Sequence, residues 1–243
     1  MALRERVDPA TGVAPARLLC DYSWMDLSHE DLAQGFFAHA DFNHADLRGT
    51  NLEGANLAFA NLNGARLDWA NLDLANLEGA RMASTSAVGA TFHLATLSGI
   101  SAPQLDYTNC DMRETGVDRS DFTLSTFSRA MLEGAAFEEV SILAADFTGA
   151  RMRWSEIVDS TADKSNFADC NCAGLLVASS SFKGAVFDGA DLSFALFDRF
   201  TVTQDATFQG AAMEGMVTYK WAGQHHPTQA LPSGVTLPNP HPW

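Results

Sequence analysis

From Tyr22 to Val202 a bulky apolar residue returns at every fifth position: Tyr22, Leu27, Leu32, Phe37, Phe42, Leu47 and so on to Phe187, Leu192, Phe197 and Val202. Leu, Phe, Met, Ile, Val or Tyr fills 33 of the 37 positions in this series, so one register without insertions is expected along the whole run. A second series lies two residues earlier, with Ala, Ser, Thr, Cys or Gly at 30 of its 37 positions, small enough to pack beside the bulky set. A period of five fits neither the 3.6 of a helix nor the 2.0 of a strand. The backbone must instead turn a corner once per repeat, which predicts a solenoid.

Residues two apart on an extended segment point to the same side, so the small and bulky series both face inward. The other three residues of each unit face outward or form the corner. The last of them is Gly at Gly49, Gly54, Gly64, Gly79 and Gly89, among others, as a turn with positive φ would require. Four such corners close a square of about 20 residues, and stacked coils pair at strand spacing of about 4.8 Å. The 181 residues from Tyr22 to Val202 then make about nine coils, an all-β rod about 43 Å long before its caps.

The units Ala45-Asp46-Leu47, Ala55-Asn56-Leu57, Ala70-Asn71-Leu72 and Ala190-Asp191-Leu192 follow an A-(D/N)-L-x-x signature. In this the chain resembles the pentapeptide repeat proteins over about three quarters of its length. The resemblance implies a right-handed quadrilateral β-helix, in agreement with the square cross-section.

Departures from the repeat mark its limits. The bulky site is Ala at Ala87, Ala102 and Ala162, and the small site before Ala102 enlarges to Ile100. Glu30 occupies an inward small site, so 21–34 is expected to be an open first coil or partly a helical cap begun by Ser28-x-x-Asp31. After Val202 the register slips by one, continues through Ala206, Phe208, Ala211 and Met213, and stops near Thr218. The organisation expected is an N-terminal cap over 1–20, repeats over 21–218 and a Pro-rich tail or cap over 219–243. Pro227, Pro232, Pro238, Pro240 and Pro242 exclude a regular helix or central strand from that tail. Its Tyr219, Trp221, Leu231, Leu237 and Trp243 suit packing on the rod, with a mobile tail as the other reading.

No apolar run approaches the 18–20 or so residues that cross a bilayer. Met1–Pro9 lacks the apolar core of a signal peptide. A cytoplasmic protein without membrane contact is expected. The net charge of −15 disfavours direct binding to nucleic acid. It suits a basic protein partner or mimicry of a polyanion, and equally plain solubility. Eleven acids, including Asp21, Asp41, Asp46 and Asp111, directly precede a bulky residue, where Asn stands in other units. A short Asx side chain there can accept turn N–H groups, so these carboxylates belong to the repeat. Cys20, Cys110 and Cys170 fall in the small series and Cys172 in the bulky one, as inward fillers. Cys110 and Cys170 stand three coils apart, about 14 Å, so neither a disulfide framework nor a zinc spacing is expected.

No nucleophile elbow, phosphate-cradling loop or dinucleotide fingerprint is present. The expectation is a protein that is not an enzyme and uses no cofactor or metal, since the faces of a rod offer few concave pockets. His39 and His44 with Asp41, and His225-His226 with His241, read either as metal sites or as ordinary solvated histidines. Sharper candidates lie where the repeat dictates nothing. Numbering faces modulo 20 gathers Glu138, Glu139, Glu156 and Asp159 on one face, with Glu133 around the corner, as an acidic docking patch. Trp154, Leu176, Phe194 and Leu196 line one corner as an apolar strip for a partner, for a homodimer through the C-terminal end, or for the tail. Leu74 with Leu94 makes a smaller strip, and Trp24, Phe59 and Trp69 are scattered.

The function expected is a non-catalytic protein-binding rod that scaffolds or regulates through its outer faces. The resemblance implies an alternative: a DNA-mimicking binder of DNA gyrase or topoisomerase that protects against quinolones or a gyrase toxin.

Overall fold

The structure, a computed structural model, describes residues 20–218. The expectations for the N-terminal cap, for the tail and for His225, His226 and His241 lie outside the described residues.

Outside one face of the C-terminal half, the repeats close their corners in the same way. Tyr22 C=O accepts the N–H of Met25 at 3.1 Å, and Trp24 between them has φ 61°. A left-handed third residue is what a type II turn demands. The preceding Asp21 caps the corner by accepting the Ser23 N–H at 2.9 Å. Asp41, Asn71, Asp106 and Asp121 do the same for the residue two ahead. The structural role expected of these Asx residues is thus their observed one.

Coils stack in parallel with a register of 20. Asp21, Asp41, Asn61, Arg81, Ser101, Asp121, Ser141, Thr161, Ser181 and Val202 pair in succession, ten levels at one corner. This all-β parallel solenoid is the fold expected, with a level count slightly above the nine coils inferred from sequence.

Inside, the two halves are filled differently. The N-terminal bulky sites are mainly leucines, from Leu27 to Leu77, all buried. From Tyr107 onward one column is aromatic: Tyr107, Phe127, Phe147, Phe167, Phe187 and Phe208 stack ring on ring with centroids 4.7–5.2 Å apart. The rung spacing itself imposes that distance.

One face of the C-terminal half also straightens into six short strands: β1 Gly116–Asp118, β2 Ala136–Glu138, β3 Glu156–Val158, β4 Leu176–Ala178, β5 Leu196–Phe197 and β6 Val217–Thr218. They form one parallel sheet in sequence order. Serines in the inward small site after β1, β3 and β4, Ser120, Ser160 and Ser180, accompany the change. Val140 N–H donates to Ser160 Oγ at 3.1 Å and Ser160 N–H to Ser180 Oγ at 3.0 Å, instead of closing a turn. Each hydroxyl then donates to a carbonyl, Val158 at 2.6 Å and Ala178 at 2.8 Å. With its donors satisfied by side chains, the backbone stays extended as far as Glu138 and Val158 and bends only at the left-handed residue that follows each.

Two expectations are corrected, and of the two readings of the first coil one is observed. The register breaks before Val202: Leu176 still pairs with Leu196 at a separation of 20, whereas Ser181 pairs with Val202 at 21. The extra residue enters within 198–201, where Asp198 Oδ1 accepts the N–H groups of Ser179, Phe200 and Thr201 and the Thr201 hydroxyl. Val202 therefore holds a bridge position and no bulky inward site. The first coil contains no helix; it is open and regular, with Asp21, Asp26 and Asp31 bridged to the second coil and Glu30 exposed. Finally, Cys170 and Cys172 form a disulfide. Adjacent inward sites of one unit bring their Cα atoms to 5.6 Å, within bonding range, while Cys20 and Cys110 are free.

Candidate surface for a protein partner

The β1–β6 face presents two outward lines of side chains. Strand register places Gly116, Ala136, Glu156, Leu176, Leu196 and Val217 in one. Asp118, Glu138, Val158 and Ala178 form the other. Along the adjoining edge run Arg119, Glu139, Asp159 and Ser179, all at positive φ. The face is thus acidic at its middle rungs and apolar towards its C-terminal end.

Glu138, Glu139, Glu156 and Asp159 are brought together as expected, exposed on consecutive rungs, and form no ion pair among the described residues. Glu133 stands apart. Its Oε1 is 2.7 Å from Arg151 Nε, and its Oε2 is buried without a partner, so its charge is already compensated. Asp118, missed by the sequence reading, extends the acidic line but is held by Arg119 at 2.6 Å and by the Ser98 hydroxyl at 3.0 Å. Partial burial alone would raise its pKa; the hydrogen bonds from Arg119 and Ser98 outweigh it and hold the group below the ordinary value.

The four apolar candidates also meet. Leu176 and Leu196 are half-buried rung partners, and Trp154 and Phe194 are exposed on turns two residues before strands β3 and β5. Each ring covers the glycine one rung on, Trp154 over Gly174 and Phe194 over Gly215. Both glycines have positive φ, and a Cβ at either would run into the ring, so the pairing needs glycine twice over. Sequence reasoning missed Phe200, which the inserted residue pushes out to 57% exposure under the Arg199 guanidinium, 4.6 Å from the ring centre. The signal was present: a Phe in a slot reserved for small residues.

The pentapeptide repeats family model matches the sequence in eight copies, with matched residues at 26–58, 37–73 and 60–99. With one corner per five residues along the described rod up to the extra residue at 198–201, that decides the family. The chain is a pentapeptide repeat protein. Among solved structures it is similar to HetL, a pentapeptide repeat protein involved in heterocyst differentiation regulation from the cyanobacterium Nostoc. The identity is 17%, with 82% of this chain and 86% of that one covered and a TM-score of 0.34. It is also similar to QnrB1, a plasmid-mediated fluoroquinolone resistance protein, at 14% identity over 80% and 88% of the two chains and a TM-score of 0.35. A thylakoid-lumen pentapeptide repeat protein of Arabidopsis thaliana aligns at 24% identity over 55% and 68%, with a TM-score of 0.24. No curated protein matches the sequence.

In a pentapeptide repeat protein only the outward sites are free to specify a partner, and in the N-terminal half many of these are already engaged. His44 stacks on Trp24 at 4.3 Å and His39 on Phe59 at 5.2 Å, so these aromatics are paired and not scattered. Phe59 covers Gly79 and Trp69 covers Gly89. His39, Phe59, Asp41 and Arg81 line a shallow groove, but among the described residues no group of three His, Cys, Asp or Glu could hold a metal ion. No helix among the described residues is long and apolar enough to cross a membrane.

Proposed function

We propose that this pentapeptide repeat protein is a non-catalytic binding rod whose contact surface is the β1–β6 face. Its partner is a protein that sets basic side chains against Glu138, Glu139, Glu156 and Asp159 and apolar ones against Leu176, Leu196, Phe194 and Trp154. One observation carries this reading: four exposed carboxylates on consecutive rungs without an ion pair among the described residues. The register sets Glu139 against Asp159, and like charges about 4.8 Å apart cost about 0.9 kcal/mol even in water. The repeat does not require most of these acids, and an arrangement that weakens the rod is supported by use rather than by stability. Capture of a partner by immobilised protein tests it. The combined variant Glu138→Gln, Glu139→Gln, Glu156→Gln and Asp159→Asn loses the partner, and raised salt weakens the wild-type complex. Capture unchanged by both would remove this face from the account.

The acidity also favours a second reading, a DNA-mimicking binder of gyrase or topoisomerase. Ten rungs span about 43 Å, over which duplex DNA carries roughly 25 phosphates. The chain's net −15 is lower and is interrupted by pairs such as Asp111–Arg113 and Glu133–Arg151. A supercoiling assay with purified gyrase decides it: inhibition that disappears in the neutralised variant supports mimicry, and unaltered supercoiling excludes it.

A further inference from the structure

The corner that leads into the β1–β6 face differs from the other three. Leu74, Leu94, Trp154 and Phe194 stand in line along it at turn positions, each more than half exposed. Among the described residues the other three corners share four such residues between them. The two flanks of this corner also carry opposite charge on one rung. Arg153 and Trp154 are the central residues of the turn that the Ser155 N–H closes onto the Met152 carbonyl at 3.3 Å. Arg151 lies just before that turn, bridged to Met131 and Asn171, and Glu156 opens β3 just after it. All three charges are exposed, and Arg153 and Glu156 form no ion pair among the described residues. On the next two rungs small residues on the basic flank match leucines on the other, Ala173 with Leu176 and Ser193 with Leu196. Within one chain these flanks cannot meet, because four corners close each coil and adjacent faces point a quarter-turn apart.

We propose that the partner of the β1–β6 face is a second copy of this chain, laid alongside in the same direction and rung for rung, with its Arg151–Arg153 flank on strands β3–β5 of the first. This rests on the reading of that face as a contact surface and names what it contacts. Charge complementarity selects the two flanks, since Arg153 of one copy meets Glu156 of the next and Arg151 reaches towards Glu138. The leucines select the direction. Parallel copies set Leu176 against Ala173 and Leu196 against Ser193. Copies reversed about the same ion pair would set those leucines against Glu133 and Arg113.

The faces in contact are neighbours on a four-cornered rod, so each copy is turned by about 90° from the last. Such a heterologous contact closes on itself at four copies. The apolar corners then line the axis of the ring, which removes Trp154 and Phe194 from water. Glu114 is the one acid in that line, and Arg113 adjoins it in every copy.

The test is the mass of the full chain in solution, measured by light scattering. The expected value is four times the 26.1 kDa of one chain. Arg153→Glu and Glu156→Arg, both at exposed positions, should each reduce it to that of a single chain. An equimolar mixture of these two variants should regain the fourfold mass, because each supplies the flank that complements the other. Ser193→Arg touches neither charge and should also disassemble the ring by setting a cation against Leu196. A single-chain or twofold mass for the wild type, a mixture that stays single, or a fourfold mass retained in Ser193→Arg overturns the proposal. A single-chain wild type that still captures a foreign protein through Glu138, Glu139, Glu156 and Asp159 would overturn the ring and leave the binding face standing. A fourfold mass retained in Glu156→Arg would instead remove the face itself from the assembly and overturn the proposal.

Discussion

In the N-terminal half the bulky slots hold leucines, the corners are closed turns, and the outer surface satisfies itself. Asn61 Nδ2 donates to Asp41 Oδ1 of the neighbouring coil at 2.8 Å, and Asn71 Nδ2 to Asn51 Oδ1 at 3.3 Å. In the C-terminal half a column of six aromatic rings runs along the axis, serines replace alanines at one inward corner, and the adjoining face flattens into β1–β6. Both halves obey the same five-residue rule. The difference teaches that one repeat rule admits two kinds of outer surface, and that the unpaired carboxylates sit where the rod gains a flat face.

Truncating the aromatic column should cost most. Phe147 stacks on both Phe127 and Phe167, so Phe147→Ala should lower stability by roughly 3–5 kcal/mol in urea unfolding. Leu62→Ala, in the leucine half, belongs at the lower end of the 2–5 kcal/mol or so typical of such changes. Equal costs would mean that the stack adds nothing beyond its volume. Ser160→Ala tests the origin of the flat face. It leaves Val140 N–H without its acceptor, for a loss of about 1–3 kcal/mol and faster exchange of that amide. An unchanged exchange rate would show that the serines do not hold the strands open.

Where the two cores meet, Tyr107 is fully buried and its hydroxyl has no hydrogen-bond partner. Burial pushes that hydroxyl's pKa well up, which favours its neutral form. Tyr107→Phe keeps the ring stack and should stabilise by about 1 kcal/mol; a destabilised variant would reveal a partner for the hydroxyl. The smallest effect concerns the surface pairs that both halves share. A hydrogen bond from Arg48 holds the Asp46 pKa below the ordinary value, and one from Arg113 does the same for Asp111. Because the folded pKa values are depressed, the stabilisation is complete above about pH 4 and is lost as pH falls through the folded values. For such solvent-screened pairs it amounts to a few tenths of a kcal/mol or so. Arg113→Ala should raise the Asp111 pKa in an NMR titration and flatten this acid dependence.

The period made the fold legible because inward sites admit few residue types, and it exposed the Asx turn role as well. It also brought the acidic and apolar candidates to their observed positions, since modulo-20 numbering is accurate wherever the register holds. What stayed hidden has local causes. The insertion at 198–201 escaped because Val202 is apolar and fits the series by accident, although Phe200 in a small slot contradicted it. The Cys170–Cys172 bond escaped because only the pair three coils apart was considered, and not neighbours within one unit. The engagement of Glu133 by Arg151 depends on side-chain reach across rungs, which a face assignment does not contain.

The central claim is that partner contact belongs to the β1–β6 face and not to the aromatic corners of the N-terminal half. Hydroxyl-radical footprinting of the protein alone and with its captured partner tests this directly. Protection of Leu176, Phe194, Leu196 and Phe200, with Trp24, Phe59 and Trp69 as reactive as in the free protein, is the predicted result. Protection confined to Trp24, Phe59 and Trp69 would contradict the claim.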